Sequence, residues 1–270
     1  MMKGKPQDKE SRKRLLPKGR KKSGLSMQSA LSYFLKGNIL FALNGTVLIA
    51  IDSIACIFPS LKIKAGERIA LVGPSGCGKS TVLSLVSGLY EPWEGEVLFD
   101  GKPRKDIDRM TFVNSVSVIN QDVTLFEGTI ADNIKMWDES IEDFAMVLAS
   151  NDAQIHEEIM ERPGAYQGEV AERGKNFSGG QRQRIEIATA LAKEPTILLM
   201  DEGTSALDPK TEAKVMENIY GQGMTLIMIA HRLSTIQECK RIIVLKDGRV
   251  AADGNFKELQ SQGYFPSDKE

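Results

Sequence analysis

The sequence predicts an α/β protein with a mostly parallel core sheet covered on both faces, and three observations carry that prediction. Short continuous apolar runs recur at Ile69-Ala70-Leu71-Val72, Ile197-Leu198-Leu199-Met200, Leu226-Ile227-Met228-Ile229-Ala230 and Ile242-Ile243-Val244-Leu245, as strands buried on both faces do. Segments of helical character lie between them, the connection that parallel strands require. Polar residues follow each run at its C-terminal end, where an open α/β sheet places its ligands.

Composition agrees with a globular chain. The 270 residues are 41% hydrophobic and 26% charged, with a formal net charge of −1, enough to bury a core in one large or two modest domains. The charge is uneven: residues 1–24 carry ten Lys or Arg against Asp8 and Glu10, a net +8 that leaves −9 for the remainder. They are expected to form a disordered basic arm, able to touch an anionic membrane face or nucleic acid. Cys56, Cys77 and Cys239 are too few and too scattered for a disulfide framework, so a reducing compartment is expected. No secretory signal follows the basic start, and two distant histidines cannot build a metal cluster.

In chain order, residues 39–58 are mostly apolar with Asp52 as the one charge. The length permits a transmembrane helix, but Asn44, Gly45, Thr46, Asp52 and Ser53 weaken that reading, and Thr46-Val47-Leu48-Ile49-Ala50-Ile51 reads equally as a buried strand. Pro59 is expected to stop whatever precedes it. Leu61-Lys62-Ile63-Lys64 alternates as a strand with one wet face, and Ala65-Gly66-Glu67 turns into the buried strand ending at Val72. Val82, Leu85, Val86 and Leu89 then recur at helical spacing, with Gly88 and Pro92 at the helix end. Glu96-Val97-Leu98-Phe99 is a strand closing in the Asp100-Gly101 turn. In the middle third Ile141, Phe144, Leu148, Ile155 and Ile159 are expected to share one helical face, broken at Asn151-Asp152, with His156 on the surface.

The chemistry begins at Gly73-Pro74-Ser75-Gly76-Cys77-Gly78-Lys79-Ser80-Thr81, between a strand and a helix. Glycines let backbone N–H groups turn inward, and the helix N-terminus adds positive potential. The spacing fits the Walker A pattern, in which Lys79 reaches the β- and γ-phosphates of a nucleotide and Ser80 sits on Mg²⁺. Cys77 would bring a thiol near that nucleotide. Asp201 and Glu202 close a buried strand, one placed to hold a Mg²⁺ shell and the other to polarise an attacking water. A third stretch, Phe177-Ser178-Gly179-Gly180-Gln181-Arg182-Gln183-Arg184, puts an N-cap residue and two glycines at a helix start, a second anion-binding edge. One chain with two phosphate edges points to one edge serving another molecule's nucleotide.

Together these residues resemble the ATP-binding domain of an ABC transporter, a P-loop NTPase with a small antiparallel β region and a helical subdomain, expected here at about 122–183. The resemblance implies Mg·ATP as ligand and ATP hydrolysis as activity. It also implies a head-to-tail dimer with a second ATP-binding domain, a separate transmembrane domain, and peripheral placement on the cytoplasmic face of a membrane. Within it Gln121 is the residue that senses Mg²⁺ and γ-phosphate. Ser205-Ala206-Leu207-Asp208 is the loop crossing the dimer interface, His231 the switch histidine, Glu202 the catalytic base, and Ser80, Gln121 and Asp201 the metal set. Leu125-Phe126-Glu127-Gly128-Thr129-Ile130 and Gly168-Glu169-Val170-Ala171-Glu172-Arg173-Gly174 resemble exporter sequences. Asp152-Ala153-Gln154-Ile155-His156, Arg162-Pro163-Gly164-Ala165-Tyr166 and Glu91-Pro92-Trp93-Glu94-Gly95-Glu96 are similar to exporters of bacteriocins with nitrile-hydratase-type leaders (NHLM).

Departures accompany the likeness. The family's adenine-stacking aromatic has no clear counterpart, with Phe41 or Phe58 as substitutes; Phe177 stands where Leu is commoner; and Gly203 stands where Ala is usual, which would loosen Glu202. The likeness stops near Ser60, so the ATP-binding domain is expected over 60–270. Residues 25–59 are unassigned, a divergent or frame-displaced extension in place of membrane helices. Two other readings share the motifs: a DNA-associated ATPase of the same type, which lacks support because no heptad coiled coil separates the two phosphate edges, and a degenerate nucleotide-binding module. Nucleic acid is not the expected partner.

Overall fold

The apolar runs do become strands, and the turns between them decide which sheet each one joins. The computed structural model describes the backbone of residues 47–53 and 56–266, with side chains from residue 61. The basic arm 1–24, residues 25–46 and Phe41 lie outside the described residues, as does the side chain of Phe58.

The described chain opens with the hairpin β1 (Val47–Ser53) and β2 (Cys56–Ile63), then β3 (Arg68–Val72), helix α1 (Lys79–Val86), and the hairpin β4 (Glu96–Phe99) and β5 (Lys102–Pro103). Four of these strands form an antiparallel sheet in the order β2-β1-β4-β5. Over the described part, Val47–Ser53, the strand reading therefore prevails over the membrane helix, and among the described residues no helix is long and apolar enough to cross a membrane. β1 pairs with β4 through Val47↔Phe99 to Ala50↔Glu96, and β2 runs across position 60. One expectation is corrected: Pro59 does not stop the chain. It sits within β2, an edge strand, where the register slips by one between Ile49↔Leu61 and Ile51↔Phe58. An edge strand at a bulge is where a residue without an N–H is tolerated. The Asp100-Gly101 turn has φ 51° and 78°, the left-handed pair that a two-residue hairpin turn uses.

After α2 (Arg109–Ser115) and β6 (Val116–Ile119) come β7 (Gly128–Thr129), α3 (Ile130–Lys135), α4 (Asp143–Asp152), α5 (His156–Met160), β8 (Glu169–Val170) and α6 (Gly179–Ala192). α6 packs on both α3 and α4. The expected phase of α4 is wrong: Phe144 is 67% exposed, and the buried face is Met146, Ala149 and Ser150. That is the face that packs against α6. His156 is half-buried rather than free on the surface, its Nδ1 2.8 Å from the Tyr166 hydroxyl.

The remaining elements are β9 (Ile197–Asp201), α7 (Pro209–Gly221), β10 (Thr225–Ile229), α8 (Leu233–Gln237), β11 (Arg241–Lys246), β12 (Arg249–Gly254) and α9 (Phe256–Ser261). They complete a sheet ordered β12-β11-β3-β10-β9-β6, parallel except for the antiparallel edge strand β12. Alternate residues of each central strand enter opposite cores. Ile69, Leu71, Ile197, Leu199, Ile227 and Ile229 pack with α1 and Phe99. Ala70, Val72, Leu198, Met200, Leu226 and Met228 pack with α6 and α7. Each large aliphatic side chain so buried contributes about 1.5–3 kcal/mol, and both faces are dry, which is why the runs are continuous rather than alternating. Arg241 ties the two sheets: its guanidinium pairs with Asp253 at 2.6 Å and Glu67 at 3.2 Å and donates to the Lys62 carbonyl at 2.8 Å.

Candidate active site

Four neighbouring strands, β3, β10, β9 and β6, end on the same side of the sheet because they are parallel. Each hands a polar residue to that side. β3 runs into the loop 73–78, whose Gly78 caps α1 at φ 102°. Gly73 has φ 150°, and a Cβ there would collide with the Leu245 carbonyl of β11 and lie 2.8 Å from Cys77 Sγ, so only glycine fits. Lys79 is 8% exposed; its Nζ donates to the carbonyls of Gly73 at 2.8 Å and Pro74 at 3.0 Å. Pro74, Ser75, Gly76, Cys77, Gly78 and Thr81, with Asp247 and Gly248 of the β11–β12 turn, line a cavity of about 340 Å³, large enough for a phosphate chain. Ser80 and Thr81 are exposed at the start of α1. Cys77 lines that cavity yet is 4% exposed, its side chain packed into the core beneath the loop with the sulfur 3.9 Å from Lys79 Nζ.

β9 ends at Asp201, and Glu202 follows with φ 53°, a left-handed conformation uncommon for a residue with a side chain and costly enough to mark a functional position. Both oxygens of Glu202 are engaged: Oε1 lies 2.9 Å from His231 Nε2, just past β10, and Oε2 accepts from Gln121 Nε2 at 3.4 Å, just past β6. Three strand ends thus converge on one carboxylate. Gly203 does not loosen it. An added Cβ would lie 2.6 Å from Ile119 Cγ2 and 3.2 Å from Met200 Cε, so this glycine is needed for close approach rather than for freedom.

The second edge is the start of α6. Ser178 Oγ accepts from the Gln181 N–H at 3.2 Å, and Gln181 Oε1 accepts from the Ser178 N–H at 2.9 Å, a reciprocal capping box. Ser178 and Gly179 are exposed and Gly180 half-buried. Beside them runs 205–208: the Ala206 N–H donates to Gln183 Oε1 at 2.8 Å, and a Cβ on Gly180 would come within 3.2 Å of the Ala206 carbonyl. Asp208 caps α7 by accepting from the Lys210 and Thr211 N–H groups at 3.1 Å. Hydrogen bonds from Thr211, side chain and backbone, hold its carboxyl below the ordinary range. Among the described residues no hydrogen bond or ion pair joins the 178–180 tip to the loop 73–80.

A family model described as ABC transporter matches residues 59–205. The chain belongs to the ABC transporter family. It is an ATP-binding domain of exporter type, the part of such proteins that hydrolyses ATP. It is 40% identical over 206 residues to the β-(1→2)glucan export ATP-binding/permease protein NdvA of Agrobacterium vitis, covering 76% of this chain and 35% of the relative. It is 40% identical over 212 residues to the mitochondrial iron–sulfur clusters transporter atm1 of Neurospora crassa, covering 75% and 30%. A solved bacterial Atm1-family ABC exporter with ATP bound is 36% identical with a TM-score of 0.76, covering 83% of this chain and 41% of that one. The chain spans less than half the length of each of these relatives.

One cluster in this ABC domain escaped the sequence reading. Glu212 on α7 is 6% exposed; its Oε1 accepts from Thr204 at 2.8 Å and Thr235 at 3.1 Å, and Oε2 pairs with Arg232. Arg232 also donates to the carbonyls of Ser205 and Leu207. Glu212 so binds the 205–208 loop to the residue after His231. A signal existed: Glu212, Val215, Met216 and Ile219 form one buried stripe, and a carboxylate inside an apolar stripe demands partners.

Proposed function

We propose that this chain binds Mg·ATP and hydrolyses the γ-phosphate in a head-to-tail pair with a second ATP-binding domain, powering export through a separate transmembrane domain. The observation that supports the reading is the arrival of Lys79, Gln121, Asp201-Glu202 and His231 at one end of four adjacent parallel strands, with a 178–180 edge, exposed at Ser178 and Gly179, that makes no hydrogen bond to its own chain's 73–80 loop among the described residues. That edge, with Asp208 and its loop, would close over the nucleotide held by residues 73–81 of the partner subunit, and the partner's edge over this one.

The donors suit Mg²⁺. Ser80, Gln121 and Asp201 offer hard oxygens, and Asp201 makes no side-chain hydrogen bond or ion pair among the described residues. No group of three or more His, Cys, Asp or Glu there would hold a metal by itself, in keeping with an ion bound largely through substrate phosphates. When bound, Mg²⁺ supplies charge neutralisation at the phosphates. Lys79 neutralises the β- and γ-phosphates, and Gln121 and His231 orient the reacting group. Glu202 takes the proton of the attacking water as the bond from the γ-phosphorus to the ADP oxygen breaks.

Replacing Glu202 by Gln is expected to lower turnover by about 10²-fold or more while prolonging an ATP-bound dimer. Steady-state ATPase and light scattering measure both, and unchanged turnover would remove Glu202 from this role. Placement at the cytoplasmic face of a membrane follows from the partner. A bacteriocin or peptide cargo rests on the short NHLM-like stretches alone, whereas the names of the relatives speak of multidrug, iron–sulfur cluster and glucan transport.

A further inference from the structure

The capping glutamine of α6 is itself held from outside the helix. Gln181 Nε2 donates to Glu158 Oε2 at 2.8 Å, and Gln181 Oε1 accepts from Arg162 Nη2 at 3.2 Å in addition to the Ser178 N–H. Both polar atoms of that carboxamide are therefore fixed by charged groups from α5 and the turn after it. Glu158 is braced in turn, its Oε1 2.7 Å from Arg184 Nη1. Arg162 also donates to the Asn176 carbonyl at 3.2 Å, and its guanidinium carbon lies 3.8 Å from the centroid of the Phe177 ring. The aromatic that stands where leucine is commoner thus offers a face to a cation, a use that an aliphatic side chain lacks. Burial pushes the Glu158 carboxyl up, but hydrogen bonds from Arg184 and Gln181 and the charges of Arg184 and Arg162 outweigh it, so the group titrates below its ordinary value.

We infer that Glu158 and Arg162 are positioning residues for the 178–180 edge, acting through Gln181. A capping box by itself is two neutral hydrogen bonds at an exposed helix end, free to fray. With Gln181 clamped between a carboxylate and a guanidinium, the cap becomes charge-assisted and its direction is set. The N–H groups of Gly179 and Gly180 then point one way before any nucleotide arrives, which lowers the ordering cost of closing over it. Because the inference rests on the composite site proposed above, its test must separate the two.

The full chain carrying Glu202→Gln is titrated with Mg·ATP, and self-association is followed by sedimentation. A fluorescent ATP analogue, added to protein dilute enough to stay monomeric, reports the 73–81 half alone. Adding Glu158→Ala or Arg162→Ala is expected to weaken ATP-driven association about tenfold, the loss of one charge-assisted hydrogen bond, with affinity for the analogue changed by less than about twofold. Glu158→Gln, whose amide oxygen still accepts from Gln181 but without the charge, is expected to recover part of the association, to about threefold weaker than the parent. A merely structural role would make Gln as damaging as Ala, since both lose the Arg184 pair. Association equal to the Glu202→Gln parent in both alanine variants overturns the inference and leaves the composite site standing. A parent that does not associate with Mg·ATP overturns the composite site, and this inference with it. The two positions are independent arms, so one unfolded variant leaves the other to decide.

Discussion

At Gly203 the space for a methyl group is already taken by Ile119 of β6, and Ile119 is fully buried. Gly203→Ala is therefore expected to cost about 1–3 kcal/mol through overpacking, measured by denaturant unfolding. Because the displaced backbone carries Glu202, kcat should fall more than KM rises. Sequence reasoning assigned this glycine the opposite effect, since a composition-level rule about freedom says nothing of what lies 2.6 Å away. Glu212 makes the same point for charge. Glu212→Ala strands two threonine hydroxyls and the Arg232 guanidinium and is expected to cost about 2–3 kcal/mol. The loss should appear in thermal unfolding together with lower ATPase, because the 205–208 loop and the segment after His231 lose their common anchor.

Between elements, the helical region meets the core at the end of α4. The amides of Asn218 on α7 and of Gln222, which caps its C-terminus, donate to the carbonyl oxygen and to Oδ2 of Asp152, at 3.0 Å and 2.8 Å. Burial raises the Asp152 carboxyl above its ordinary value, with the Gln222 hydrogen bond opposing it. The native state then holds that proton more tightly than the unfolded chain, so the stability it contributes is present below the ordinary value and is lost as pH rises through the raised one. Asp152→Asn keeps an acceptor for Gln222 and removes the charge; it is expected to be more stable than the parent at neutral pH. The parent's decline on that acid limb should vanish, as melting curves from pH 3 to 8 would show. The break at Asn151-Asp152 was visible as a polar pair, but the phase of α4 was not. Phe144 and Met146 are both hydrophobic, and only the close approach of α6 selects Met146 for the core. Between the two sheets, Arg241→Ala should release the β2 sheet from β11 and β12 at a cost of about 2 kcal/mol, read by unfolding.

For the whole molecule the composite reading makes a prediction that no single subunit can satisfy. Lys79→Ala cripples the loop half and Ser178→Arg the edge half, so neither variant alone has a working site. Mixed in equal amounts, half of the dimers are mixed and each has one intact site of two, so about a quarter of the parental ATPase should return; no recovery would mean that each chain works alone. What the sequence by itself determined is the parallel sheet, the glycine-rich loop after β3, the acids at the end of β9 and the cap of α6. Each is written in a local pattern: an apolar run buried on both faces, fixed glycine spacing, a polar residue at a strand end, a capping box. Only the tertiary structure decided that residues 47–53 and 56–59 join the small sheet, that the Cys77 side chain packs in the core, that Gly203 is crowded, and that Glu158, Arg162 and Glu212 stand behind the site. These depend on which atoms of distant segments come within a few ångströms of one another, and side-chain hydrogen bonds across 19 to 23 residues of chain leave no periodic trace.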